Sequence, residues 1–180
     1  MMRLFKTLLC GLICSAALHV GSAQAVAAES AELPMADRIV VRKAERKLFI
    51  YSRGRVVREY PVRLGLRPEG AKEFEGDFRT PEGHYQLARR NPQSDYFLSI
   101  QVNYPNDKDV ARAKRQGQKP GDMIMIHGLP NTPRKPLDYY QRFDWTDGCI
   151  AVSNSDMVEI WLMTKAGTPI EYPAVNYAGD

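Results

Sequence analysis

Cysteine is nearly absent from this chain: three in 180 residues, at positions 10, 14 and 149. Cys10 and Cys14 fall in an N-terminal leader, so Cys149 stands alone in everything that follows, with no partner for an internal disulfide. An unpaired cysteine in an exported chain marks either a reactive thiol or an intermolecular bridge. Histidine is as scarce, with only His84 and His127 beyond the leader. One thiol and two imidazoles without close ligand spacing match no zinc pattern, so no metal site and no cofactor are expected. No run after the leader is apolar enough to cross a bilayer, and repeats and low-complexity tracts are missing too.

The leader itself reads as a secretory signal peptide over residues 1–25. Arg3 and Lys6 form a basic start, Leu8 to Val20 an apolar core too short for a membrane span, and Ala23-Gln24-Ala25 an A-x-A cleavage site. The mature protein is expected to be soluble and exported, periplasmic in a Gram-negative cell. Removing Arg3 and Lys6 lowers Lys+Arg from 25 to 23 against 21 Asp+Glu, so the formal charge drops from +4 to +2. That small excess excludes nucleic acid as an expected partner.

Residues 26–37 read as a flexible lead-in, 38–173 as one catalytic domain and 174–180 as a C-terminal tail. Arg38–Arg42 and Lys47–Tyr51 flank a hairpin turn at Ala44-Glu45-Arg46. Ser52-Arg53-Gly54 turns the chain again into an alternating strand over Arg55–Leu64. Gly65–Pro81 reads as a long loop, followed by strands at His84–Ala88 and Tyr96–Val102. Asn106–Gln116 is a helix capped by Asn106 or Asp107 and stopped by Gly117. Met123–Ile126 and Ile150–Val152 are short apolar strands. Ser153 with Asp156 opens a second helix running to Ala166, and Thr168–Tyr172 is a last strand. The fold expected is mostly β with two or three short helices, a sandwich or barrel.

A catalytic thiol needs a base, because a free thiol with a pKa of roughly 8.5 is only slightly ionised at neutral pH. His127 ends an apolar strand before Gly128 and is the better candidate; His84 suits a surface role. Gly148, next to the thiol, would let a carbonyl approach closely, and the N–H groups of Asp147, Gly148 and Cys149 would face a developing oxyanion. The blander alternatives are a buried structural cysteine, a structural histidine, and Trp145 and Trp161 as core.

Ile126-His127-Gly128, the spacer, and Thr146-Asp147-Gly148-Cys149-Ile150 together resemble the YkuD-type L,D-transpeptidase domain, in a YafK-like subgroup. Tyr60–Gly65, Gly76–Gly83 and Tyr104-Pro105-Asn106 fit the same pattern, so the resemblance covers roughly Arg38 to Tyr172. It implies a YkuD-type β-sandwich or barrel-like fold and an enzyme acting on peptidoglycan peptide stems. The thiol attacks the bond between the diamino acid and the terminal D-residue, holds the stem as a thioester, and passes it to an amine. That amine belongs to a second stem or to a wall-anchored protein such as a lipoprotein.

The same resemblance implies Cys149 as nucleophile and His127 as base. Gly128 orients the imidazole through its backbone, and Asp147 and Gly148 join the oxyanion pocket. Arg79, Thr80 and Thr146 are candidates for the substrate groove. Two departures stand out: Asp147 where many members have His, and Ala151 where many have Arg or Asn. Hydrolysis of the thioester, giving an L,D-carboxypeptidase or an enzyme that frees wall-bound protein, is the second reading. An inactive peptidoglycan-binding domain is the third. If His127 activates the thiol, alkylation should persist below the ordinary thiol pKa.

Overall fold

The computed structural model describes residues 33–175. The expected signal peptide, the lead-in as far as residue 32 and the tail beyond Val175 lie outside the described residues.

The chain begins as an antiparallel meander of β1 (Arg38–Arg42), β2 (Lys47–Ser52) and β3 (Arg55–Pro61). Ile39, Val41, Leu48 and Ile50 are fully buried, as the β-branched and aliphatic alternation requires. Arg46 and Arg53 take positive φ at the two expected turns. The lead-in proves less free than expected near its end. Ala36 N–H donates to Met163 O at 2.7 Å and Asp37 N–H to Tyr51 O at 2.9 Å, and Ala36 is buried.

β4 (Gly83–Ser94) is far longer than the predicted strand and joins two halves of the structure. Its first residues pair with β8 (Pro169–Tyr172), and from Leu87 onward it pairs with β5 (Phe97–Val102). β6 (Met125–His127) and β7 (Ile150–Ala151) complete the order β3-β2-β1-β8-β4-β5-β6-β7. Most pairings are antiparallel; β1 with β8 and β6 with β7 are parallel. One apolar cluster draws on all these strands except β7's Ala151, and each fully buried Ile or Leu contributes about 2 kcal/mol over leaving it in water.

Three helices accompany the strands. α1 (Asp107–Arg115) starts at Asn106, whose side chain accepts from the Lys108 and Asp109 N–H groups in a full capping box with Asp109. α2 (Leu137–Arg142) was not foreseen: Pro136 precedes it and no side chain caps it. α3 (Asn154–Met163), capped by Ser153, ends three residues short of the predicted Ala166 and buries Met157, Ile160 and Met163. No described helix is long and apolar enough to cross a membrane.

The segment from Gly65 to Pro81 lacks strands and helices but is tightly organised around two buried lysines. Lys43 Nζ donates to Gly70 O at 2.6 Å, Thr80 O at 2.9 Å and Glu82 Oε1 at 3.0 Å. Burial pushes the Lys43 ammonium pKa down, with Glu82 opposing. Lys72 Nζ sits 2.6 Å from Asp77 Oδ1, and Asp77 also accepts from the N–H groups of Glu73, Phe74 and Arg79. Burial alone would raise the Asp77 carboxyl pKa; the Lys72 and backbone hydrogen bonds outweigh it and hold the pKa below the usual range.

Candidate active site

β6 and β7 set the site. Their parallel register pairs Ile126 with Ile150 and His127 with Ala151. The two isoleucines point into the core with no exposed surface. Side chains alternate along a strand, so His127 and Ala151 lie on the opposite face, and Cys149 immediately precedes β7, two residues before Ala151. β6 is displaced from the predicted Met123–Ile126 and takes in His127 itself, which fixes the imidazole at the last rung of the ladder.

The Cys149 thiol is partly exposed and donates to Met123 O at 3.4 Å. It opens onto a cleft of about 500 Å³ walled by Phe78, Met123 and Ile124 and by the carboxylates of Glu75, Asp122 and Asp147. Lys72 also reaches this cleft, but its ammonium is engaged by Asp77. Burial pushes the Cys149 pKa up to about 11; Asp147 adds to the rise, and a Met125 backbone hydrogen bond and Lys72 oppose it.

His127 is buried, with Nδ1 2.7 Å from Gly128 O. A carbonyl only accepts, so Nδ1 carries the proton and Nε2 the basic lone pair. Burial pushes the imidazole pKa down to about 4, and the Gly128 bond only partly offsets this. The rings of Tyr96 and Trp145 pack on it, with centroids at 4.7 and 5.5 Å. Among the described residues no hydrogen bond joins Sγ to the imidazole. With the thiol pKa raised and the imidazole pKa lowered, both groups are neutral near pH 7. The raised thiol pKa runs against the expected alkylation below the ordinary thiol value.

The turn before the thiol is held by Thr146. Its hydroxyl donates to Cys149 O at 2.8 Å and accepts from Gly148 N–H at 3.1 Å. Thr146 is buried and organises the turn rather than lining a groove. Gly148 N–H is thus occupied, while the N–H groups of Asp147 and Cys149 make no hydrogen bond among the described residues and remain available to an oxyanion. Gly148 has φ +130°, and a Cβ there would meet Arg79 O at 2.6 Å. Its glycine answers to backbone packing from below rather than to substrate approach. A Cβ on Gly128 would likewise lie 2.6 Å from Asn154 Oδ1, which receives Leu129 N–H at 2.8 Å.

Arg79 and Thr80 underlie the site instead of walling the thiol cleft. The Arg79 guanidinium pairs with Glu73 at 3.2 Å, and its carbonyl supports Gly148. Thr80 is fully buried and its Oγ1 accepts from Gly65 N–H at 3.1 Å. His84 is exposed on β4. Trp145 and Trp161, expected in the core, are only half-buried; Trp161 receives the Arg90 guanidinium on its face at 4.7 Å. The aromatic packing of Tyr96 on His127 had no local signal in the sequence, because 31 residues separate the two.

Residues 36–171 match the family model described as YkuD, L,D-transpeptidase catalytic domain. YafK of Escherichia coli K12, whose name as an L,D-transpeptidase is itself provisional, is 29% identical over 110 residues, covering 59% of this chain and 37% of YafK. The chain therefore spans well under half of that relative. Among solved structures, Pgp2 of Campylobacter jejuni, titled a helical cell shape determining protein, superposes with a TM-score of 0.58 at 28% identity, covering 77% of this chain and 48% of Pgp2. Bd1075 of Bdellovibrio bacteriovorus gives 0.53 at 29%, covering 82% and 54%. An L,D-transpeptidase of Mycobacterium smegmatis shares the fold with a TM-score of 0.51 at 15% identity, covering 76% and 58%. The chain belongs to the YkuD family of L,D-transpeptidase catalytic domains.

Proposed function

We propose that this protein is an exported cysteine acyltransferase of peptidoglycan, acting on tetrapeptide stems in wall remodelling. The observation that supports the reading is the register that pairs His127 with Ala151, two residues after Cys149, with Nδ1 on Gly128 O so that Nε2 is the basic nitrogen. Binding of a stem excludes water, and Nε2 takes the thiol proton as Sγ attacks the carbonyl between the diamino acid and the terminal D-residue. The N–H groups of Cys149 and Asp147 receive the oxyanion. His127 returns the proton to the departing D-residue amine, leaving the stem as a thioester.

A second amine then yields its proton to Nε2 and displaces Sγ, which takes that proton from Nε2 as it leaves. Glu75, Asp122 and Asp147, none of them ion-paired among the described residues, favour an ammonium-bearing acceptor in the thiol cleft over bare water. A wall-anchored protein is an acceptor of the same chemistry. The likeness to a cell shape determining protein supports a role in cell shape.

Mass spectrometry of muropeptides incubated with the pure protein tests this. New crosslinks with release of the D-residue are expected, and none with Cys149→Ala. Trimmed stems without crosslinks would assign the thioester to water instead. Processing that survives Cys149→Ala would overturn the mechanism.

A further inference from the structure

A second cleft, of about 560 Å³, opens against the other partners of His127 and shares no lining residue with the thiol cleft. Tyr96 and Trp145, which pack on the imidazole, form part of its floor with their rings stacked at 6.0 Å and 29°. Tyr140 meets Trp145 edge-on at 5.0 Å. The walls are preformed. Tyr140 Oη accepts from the N–H groups of Arg134 at 3.0 Å and Lys135 at 3.2 Å. On the opposite side Asn131 accepts from Phe97 N–H and donates to Ser94 O, both at 2.9 Å.

Held this way, Arg134 and Lys135 present exposed side chains that make no hydrogen bond or ion pair among the described residues. Asp95 is the groove's single carboxylate against these two cations. The thiol cleft has the opposite balance: Glu75, Asp122 and Asp147 are unpaired and its only lysine is engaged. A peptide bearing free carboxylates meets like charge on one side of the catalytic pair and opposite charge on the other.

We propose that the aromatic, basic groove seats the acyl-donor stem, an acidic peptide whose free carboxylates pair with Arg134 and Lys135. Its scissile end then passes His127 to reach Sγ. The assignment rests on the reading of Cys149 as an acyl-enzyme nucleophile. It divides the substrates by charge, with the anionic donor over Tyr96 and Trp145 and the cationic acceptor beside Asp122 and Asp147.

The test measures binding of a tetrapeptide stem to the Cys149→Ala protein, with the stem's free side carboxylates either intact or amidated. Amidation should weaken binding about tenfold, as expected for losing two solvent-exposed charge contacts. The Arg134→Ala/Lys135→Ala pair, added to that background, should weaken the intact stem by a similar factor and abolish the difference between the two peptides. Equal affinity for both peptides overturns the assignment, and that comparison needs no groove variant. A peptide-free glycan fragment binding as tightly as the stem would give the groove to the sugar and also overturn it. Release of the D-residue by the wild-type protein is scored separately, so a failed groove and a failed acyltransferase give different results.

Discussion

The carbonyl oxygen of Arg79 occupies the space where Gly148 would carry a side chain. An ideal Cβ at Gly148 lies 2.6 Å from that oxygen, and the residue's φ is +130°. The loop from Gly65 to Pro81 thus determines where the thiol sits, although it contributes no catalytic group.

Replacing Gly148 with Ala combines an unfavourable backbone conformation with a backbone clash. A loss of about 3 kcal/mol in urea unfolding is expected, together with loss of acylation by a carbapenem. Wild-type stability with full acylation would show that Arg79 yields easily.

The thiol and imidazole values set a pH profile. With Cys149 pushed up to about 11, alkylation of the free protein by iodoacetamide should be slow at neutral pH and rise about tenfold per pH unit until near that value. A plateau beginning near the ordinary thiol pKa would contradict a thiol that rests neutral. Under the proposed mechanism turnover has a different acid limit, because His127 must be unprotonated to accept the thiol proton. It should persist well below pH 6 and fail near pH 4.

His127 also couples stability to pH. Its folded pKa of about 4 lies below the ordinary 6.5, so between those values the unfolded chain binds the extra proton. The neutral, buried imidazole therefore costs nothing above pH 6.5, and stability is lost as pH falls toward 4, by on the order of 3 kcal/mol. Denaturant titrations at several pH values should show this slope, reduced in His127→Phe. An unchanged slope in that variant would place the sensitivity elsewhere.

Lys43 offers a stability test away from the reacting atoms. Lys43→Met removes the donor shared by Gly70 O, Thr80 O and Glu82 and leaves a largely buried carboxylate alone. Destabilisation of about 3 kcal/mol is expected in chemical unfolding. A neutral result would mean that Glu82 finds water or another partner.

Local chemistry made much of this legible in the sequence. Asn106 announces α1, the alternation of Ile39, Val41, Leu48 and Ile50 announces the first hairpin, and His127-Gly128 with Gly148-Cys149 marks the two segments of the proposed site. What escaped depends on distant partners. Lys43 and Lys72 resemble solvated lysines until Glu82 and Asp77 close around them, and Gly65–Pro81 reads as plain loop for that reason. α2 lacks a capping side chain and is six residues long, too short for a clear apolar stripe. Thr80 and Thr146 looked like groove residues because their hydroxyls have no sequence-level sign of facing inward.

The place of β8 in the sheet has a consequence for biosynthesis. Pro169–Tyr172 lies between β1 and β4, so a ribosome must deliver nearly the whole domain before its two halves share a single strand. Until then β1 and β4 each present an open edge, and the half that carries His127 and Cys149 is tied to the first only by backbone bridges such as Arg63 with Ala151. Nascent chains stopped before residue 169 would therefore remain protease-sensitive and unreactive toward a carbapenem, however complete their catalytic motifs.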